Sequence, residues 1–150
     1  MMLRDRNLAS PWMTKRMSHE HLPNQPYHAH VYFDGDSRDV AEALNAALRT
    51  RMKSGNLPGL LFVGSLKEGK AGPHPKPQFE VHFMANTVAA IREAIVASGL
   101  TALVHPLTDD DLADHTRLAD WIGEPLALDL TTLDPPGHNK GVARFGTSDF

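Results

Sequence analysis

The chain alternates apolar and polar side chains in two segments, and this pattern predicts two strands. In residues 27–33 the apolar Ala29, Val31 and Phe33 lie on one side and polar side chains on the other, and residues 78–83 repeat the alternation. A period of two residues is typical of a strand with one buried face. Two shorter apolar segments, residues 60–64 and 100–105, complete a set of four predicted strands.

Two amphipathic helices are predicted between these strands. The first ends at Gly55, and the second begins at Asn86 as its N-cap and ends at Gly99. Their apolar residues recur at helical spacing: Val40, Leu44, Ala47, Leu48 and Met52 in the first, and Val88, Ile91 and Ile95 in the second. Thr108 and Asp111 resemble a capping box, which predicts a third helix over residues 109–122. Residues 126–130 are predicted to add an edge strand.

The order strand-helix-strand-strand-helix-strand predicts an α+β, ferredoxin-like fold. We expect a four-stranded antiparallel sheet with both helices on one face, plus the C-terminal helix and edge strand. In this arrangement the first strand is central, so His82 and His105 are expected to approach His28 from the two neighbouring strands. We expect residues 1–26 to form a flexible extension, residues 27–133 the domain and residues 134–150 a tail.

Composition narrows the classes of function. The chain has 150 residues, 15 basic and 18 acidic side chains, and no cysteine. Disulfides, thiolate metal sites and a cysteine nucleophile are therefore excluded. The formal net charge of -3 gives little support to a nucleic-acid surface. No apolar run reaches the roughly 18 residues of a membrane span, so we expect a cytoplasmic protein without nucleic-acid or membrane partners.

The polar face of the predicted sheet carries a candidate metal site. Alternation places His28, His30, Glu80 and His82 on the face that the helices leave uncovered. Imidazoles with one carboxylate suit Fe(II) or Zn(II), and two histidines with one carboxylate are the ligand set of non-haem iron oxygenases. The competing interpretation is an ordinary solvated sheet face.

The sequence pattern is less specific for four further side chains. His74 lies in a Gly-Pro-His-Pro segment, which is either a rigid surface turn or a stiff arm that carries an imidazole to the site. His115 is expected to face solvent or to cap local polar groups. Tyr32 and Trp121 are expected to be packing residues.

Seven segments of the chain, taken in order, resemble the small DOPA 4,5-dioxygenase family of bacteria and fungi. They are residues 27–33 (YHAHVYF), 72–75 (GPHP), 79–83 (FEVHF), 103–106 (LVHP), 114–115 (DH), 121–126 (WIGEPL) and 128–130 (LDL). The resemblance covers about residues 26 to 133. No single motif is specific, but the ordered set is.

The resemblance implies a dimeric extradiol dioxygenase that uses non-haem Fe(II) and O2 to open the ring of DOPA or a related catechol. The metal-ligand candidates are His28, His30, Glu80 and His105, and the acid–base or substrate-orienting candidates are His74 and His82. An all-histidine set becomes preferable if Glu80 pairs with a lysine or an arginine. Zinc or nickel can substitute for iron in purified protein, because affinity order favours them.

Two other classes of function stay open at this point. The first is a non-catalytic, dimeric ferredoxin-like domain for ligand binding or regulation, which would need no stoichiometric iron. The second is a cofactor-free monooxygenase or isomerase with a histidine base, which would tolerate a chelator. In each case the sheet face that the helices leave bare needs covering, because an exposed apolar edge or face is a liability in a monomer. The cover is either the partner of a homodimer or the C-terminal segment.

Overall fold

Five strands form one sheet in the part of the chain that the structure describes, residues 25–147. The structure is a computed structural model. The strands are β1 (Pro26–Tyr32), β2 (Leu60–Val63), β3 (Gln78–Met84), β4 (Ala102–Pro106) and β5 (Asp120–Ile122). The extension predicted for residues 1–26 falls, up to residue 24, outside the described residues.

The sheet has the order β2-β3-β1-β4-β5, and each neighbouring pair is antiparallel. β1 is therefore central, as predicted. In its register His28 lies opposite His82 of β3 and opposite His105 of β4. Because side chains directly opposite each other lie on the same face of a sheet, three imidazoles meet in one row across the three central strands.

Two helices pack on the apolar face of the sheet. They are α1 (Arg38–Ser54) and α2 (Val88–Ser98), and the left-handed Gly55 (φ 76°) and Gly99 (φ 79°) end them as predicted. The buried side chains of both helices form one core with those of the strands: Ala29, Val31, Phe33, Phe79, Val81, Phe83, Leu44, Leu48, Ile91 and Ile95. The predicted inward side of β1 and β3 is thereby confirmed.

Two details of the helix predictions were wrong. Asn86 does not cap α2 but lies in a 3-10 turn, Ala85–Thr87, and α2 begins after that turn. Val40 is 41% exposed, because the buried stripe of α1 passes instead through Ala41, Leu44 and Leu48.

The predicted C-terminal helix was also wrong. The third helix, α3, spans only Asp111–His115 and is capped by the Asp110 carboxylate, which accepts from the Ala113 N–H. The chain turns at Thr116, and residues 120–122 then pair with the outer edge of β4 as β5. Pairing satisfies backbone groups that β4 would otherwise leave bare, and it outweighs local helix propensity. The edge strand exists, but not at residues 126–130, where no strand forms.

Three segments of the chain follow the opposite, polar face of the sheet. They are the loop of residues 67–77, residues 107–116 with α3, and residues 129–146, which include 3-10 turns at Leu130–Thr132 and Lys140–Val142. Asn139 and Gly141, within the predicted tail, are buried. No helix among residues 25–147 has the length and apolar content to cross a bilayer.

Packing on the apolar face is expected to dominate stability. Ile91→Ala should lower the free energy of unfolding by about 2–5 kcal/mol, because Ile91 is fully buried in the core. Val96→Ala on the same helix provides the matched control, since Val96 is 56% exposed, and should change it by no more than about 0.5 kcal/mol. Urea denaturation measures both, and equal losses would contradict the packed face assigned to α2.

Candidate metal centre

The polar face of the three central strands gathers the histidines that alternation placed there. The His28 ring stacks on His82 with centroids 3.9 Å apart, and its centroid lies 5.3 Å from that of His105. The prediction that His82 and His105 approach His28 is thereby confirmed. All three side chains are at most 1% exposed.

Two histidines from outside the sheet join the strand histidines. His74 reaches across the sheet so that its ring centroid lies 4.0 Å from that of His30, and His115 at the end of α3 lies 4.3 Å from His105. The functional interpretation of His74 as an arm over the sheet fits this position. His115 does not face solvent: it is 8% exposed, because the shortened α3 packs against the sheet. The alternative prediction, contact with local polar groups, is confirmed by its hydrogen bond to the Asp111 carbonyl.

Five imidazoles therefore line one cavity of about 170 Å³. Within the described residues, two groups of three histidines bring their ring nitrogens within 4.8 Å of one another, and His30 belongs to both. The groups are His28, His30 and His105, and His30, His74 and His115. A single water needs only about 10–15 Å³ on this scale, so the cavity has room for a larger ligand.

The contact between His30 and His105 is the best indication of what the site can bind. Their Nε2 atoms lie 3.2 Å apart. The Nδ1–H of His105 donates to the carbonyl oxygen of Pro106 at 2.7 Å, and the Nδ1–H of His30 donates to Gln78 Oε1 at 3.1 Å. A neutral imidazole carries one proton, so both Nε2 atoms present lone pairs to each other.

Two facing lone pairs repel unless a cation lies between them or beside them. Two nitrogen ligands bound to one Zn²⁺ at about 2.0–2.1 Å in tetrahedral geometry are about 3.4 Å apart, close to the observed separation. His28 Nε2 is buried and has no hydrogen-bond partner within residues 25–147. The donor set and its spacing therefore fit a divalent metal that accepts imidazole nitrogen.

Burial keeps these imidazoles neutral. It lowers the pKa of His28, His30, His74 and His105 well below the ordinary value, and the neighbouring histidines lower it further, because a second positive charge nearby is unfavourable. A neutral imidazole is the form that binds a metal.

His115 differs because it has an acidic partner. Burial lowers its pKa, but hydrogen bonds from Nδ1 to the Asp111 carboxylate and carbonyl outweigh burial, so the pKa is raised. Nearby, burial raises the pKa of Asp114 to about 6 despite two hydrogen bonds from Thr108. A histidine that binds a metal commonly donates its other ring N–H to a carboxylate, as His115 does here.

Glu80 and His82 occupy the same face but point to each other. His82 Nε2 donates to Glu80 Oε1 at 2.9 Å, and His82 Nδ1 accepts from the Gly146 N–H at 2.9 Å. Neither side chain lines the cavity, and Glu80 belongs to neither histidine group. The structure thus brings together three of the predicted ligands, His28, His30 and His105, with His74 beside them. Glu80, the fourth, lies outside this group and contacts His82.

The C-terminal segment closes the site. Phe145 stacks nearly parallel to His82, with centroids 5.5 Å apart, and to His28 at 6.1 Å. The walls of the cavity also include the cationic side chains of Lys140 and Arg144. The chain itself therefore covers the sheet face for which a dimer partner was considered. The homodimer stays a prediction.

Sequence reasoning missed two contributors to the site. His115 had a readable signal, since Asp111 lies four residues before it on a predicted helix. Tyr32 was expected only to pack, and it does stack on Trp121 with centroids 6.0 Å apart. Its hydroxyl also lies 2.6 Å from His74 Nδ1, a contact between a strand and a distant loop that no local pattern reveals.

The fold and the site define an α+β protein with buried histidine clusters able to bind a metal ion. The sequence profile of the Dopa 4,5-dioxygenase family matches residues 27–132. The chain therefore belongs to the Dopa 4,5-dioxygenase family, and the resemblance described above is confirmed.

Individual relatives agree with this membership. DOPA 4,5-dioxygenase of Amanita muscaria is 30% identical over 113 residues, which are 71% of this chain and 49% of that protein. An uncharacterized 21.2 kDa protein of Botryotinia fuckeliana is 40% identical over 76 residues, 44% of this chain and 42% of that protein. The chain thus spans about half the length of the curated relatives that it matches.

A solved structure has a similar fold. The crystal structure of a candidate dioxygenase from Nostoc punctiforme superposes with a TM-score of 0.57 at 35% identity. The match covers 73% of this chain and 91% of that one. The α+β architecture with an antiparallel sheet is therefore shared with a protein of dioxygenase type.

The histidine cluster is expected to make the metal-free protein sensitive to acid. Because the pKa of His28, His30, His74 and His105 is lower in the folded than in the unfolded protein, the unfolded chain binds more protons below about pH 6.5. The free energy of unfolding should then fall between pH 6.5 and 5, by up to about 1.4 kcal/mol per pH unit for each histidine. His115, with a raised pKa, contributes in the opposite sense.

Urea denaturation at several pH values measures this slope in protein treated with a chelator. His30→Asn should lower this slope by the contribution of about one bound proton, which is about 1.4 kcal/mol per pH unit. His138→Asn, which removes an exposed histidine, is the matched control and should follow the parent profile. A free energy of unfolding that stays constant from pH 7 to 5 would contradict the buried neutral cluster.

Proposed function

We propose that this protein is an extradiol dioxygenase that uses Fe(II) and O2 to open the ring of DOPA or a related catechol. The observation that carries the proposal is the approach of two ring nitrogens, Nε2 of His30 and Nε2 of His105, to 3.2 Å in a buried cavity. Membership of the family supports the oxygenase class. A catechol and O2 are then its small-molecule partners, and both oxygen atoms enter the product as a ring C–C bond beside a hydroxyl breaks.

The proposed ligands are His28, His30 and His105. All three are strand residues, which hold their ring positions more rigidly than loop residues do. Bound there, Fe(II) would supply the binding of catechol oxygens and the electron transfer to O2 that organic side chains lack. Zinc and nickel would compete for the same nitrogens, because affinity order favours them over iron.

The remaining residues of the cavity orient the substrate and exclude water. His74 and His115 approach the ligand nitrogens from the opposite wall and can exchange hydrogen bonds with a catechol oxygen. Lys140 and Arg144 line the cavity together with Asp111 and Asp134, and either cation would offer a partner for a substrate carboxylate such as that of DOPA. The Phe145 ring lies nearly parallel to His28 with centroids 6.1 Å apart, and it would shield that imidazole from water.

Glu80 and His82 are proposed to support the site instead of binding the metal. The sequence interpretation made Glu80 a ligand and His82 an acid–base residue. Glu80 instead accepts a hydrogen bond from His82, whose ring stacks on His28. The partner of Glu80 is thus a histidine and not a lysine or an arginine, but the hydrogen bond engages the carboxylate in the same way and favours the all-histidine set.

The architecture supports the same proposal. We propose that β1 to β4 with α1 and α2 form the ferredoxin-like unit and that β5 extends it. The order β2-β3-β1-β4 within the sheet supports this assignment. It places the candidate site on the sheet face opposite the helices.

Oxygen uptake tests the proposed activity. Protein loaded anaerobically with Fe(II) should consume about one O2 per DOPA or caffeate, with the absorbance of a ring-opened product. His105→Ala should abolish both, because it removes one of the two facing nitrogens. Full iron occupancy without uptake on several catechols would remove the dioxygenase assignment and favour a binding domain.

Glu80→Gln separates the two ligand sets. It preserves the shape of the side chain and a hydrogen-bond acceptor for His82. With an all-histidine set the variant should retain stoichiometric iron, measured by metal analysis after dialysis, whereas His105→Ala should lose it. Loss of iron from both variants to the same extent would place Glu80 among the ligands.

A further inference from the structure

Tyr32 and His74 form a buried hydrogen bond at the edge of the cavity. The Tyr32 hydroxyl lies 2.6 Å from His74 Nδ1, and each side chain is 1% exposed. The loop that carries His74 is held in place by two backbone hydrogen bonds. The His74 N–H donates to the Ala71 carbonyl, and the Asp129 N–H donates to the Pro73 carbonyl.

The direction of this hydrogen bond follows from the partners of Tyr32. A phenol carries its proton at neutral pH, and a buried O–H needs an acceptor. Among residues 25–147, His74 Nδ1 is the one hydrogen-bond partner of the Tyr32 hydroxyl. Tyr32 therefore donates and His74 Nδ1 accepts, so a neutral His74 carries its own proton on Nε2.

The histidines around it have the opposite tautomer. Nδ1 of His105 donates to the Pro106 carbonyl, and Nδ1 of His115 donates to the Asp111 carbonyl. A carbonyl oxygen only accepts, so these rings carry a proton on Nδ1, and in the neutral form each presents a lone pair at Nε2. The cavity thus receives lone pairs from His105 and His115 and an N–H from His74.

We propose that Tyr32 is a positioning residue that holds His74 as an N–H donor toward an oxygen atom of the bound ligand, and that His74 is not a metal ligand. For a metal to bind His74 Nε2, the proton would have to move to Nδ1, which would deprive the buried Tyr32 hydroxyl of its acceptor. Spacing alone would allow His74 to join His30 and His115 around a metal. The tautomer distinguishes His74, a hydrogen-bond donor, from His105, a proposed ligand.

The identity of the ligand oxygen rests on the proposed function, whereas the tautomer does not. In the proposed reaction the oxygen would belong to the catechol. A donor across the cavity from lone-pair nitrogens would fix the orientation of the ring relative to His30 and His105. Tyr32 would act on the reaction through His74 only.

Nitrogen NMR of the histidine rings tests the proposal directly. Long-range ¹H–¹⁵N spectra of the ¹⁵N-labelled protein at neutral pH, without metal and with zinc, should show His74 protonated on Nε2 and His105 and His115 protonated on Nδ1. Tyr32→Phe should convert His74 to a mixture of tautomers. Trp121→Phe, which alters the ring stacked on Tyr32 but keeps the hydroxyl, is the matched control and should leave the Nε2–H form intact.

Zinc affinity provides the second readout. His74→Gln should change the Kd of zinc by less than about tenfold, whereas His105→Gln should raise it by more than about tenfold. His74 protonated on Nδ1, or equal losses of zinc affinity in the two variants, would overturn the proposal. Failure of catechol cleavage with the tautomers as stated would instead remove the proposed function and keep the assignment of His74 as a donor.

Discussion

The facing Nε2 atoms of His30 and His105 are the contact on which the site depends. Each ring donates its Nδ1 proton to an oxygen, and so each directs a lone pair at the other across 3.2 Å. Such a contact is unfavourable in a buried, neutral site unless a cation occupies it. The pairing of β1 with β4 brings the two rings together, because His105 lies opposite His28, which is two residues from His30 on the same face of the sheet.

The covering segments give this contact its chemical character. Residues 67–77, 107–116 and 129–146 leave the strand histidines at most 1% exposed, and burial then keeps their pKa low. In the same segments lie the side chains that differ chemically from the ligands, among them His74 with its Tyr32 partner. The sheet thus supplies the candidate ligands, and the loops supply the groups that would orient a substrate.

Much of this arrangement was predictable because it follows from alternation along strands. The period of two residues in β1 and β3 places Ala29 and Val81 in the core and His28 and His82 on the other face, and antiparallel pairing brings His105 to the same row. The two long helices also followed from their pattern and their terminal glycines. Local rules hold for these elements because the neighbouring strands and helices agree with them.

The rest depended on contacts between residues far apart in the chain. Residues 120–122 fall within the segment 109–122 that was predicted as a helix, but they pair with the open edge of β4 as a strand. His115 turns inward only because α3 stops after five residues and packs against the sheet. Glu80 looked like a ligand by position, yet its partner His82 is itself fixed by Gly146, 64 residues later.

The position of the bound metal is the decisive test of a metal site between His30 and His105. Crystals grown with Fe(II) under anaerobic conditions, measured on both sides of the iron absorption edge, would show the ion as an anomalous peak. The account predicts one peak within bonding distance of His30 Nε2 and His105 Nε2, at about 2.0–2.2 Å. A peak bound by Glu80 and His82, or an iron-free cavity with the two imidazoles in direct contact, would contradict it.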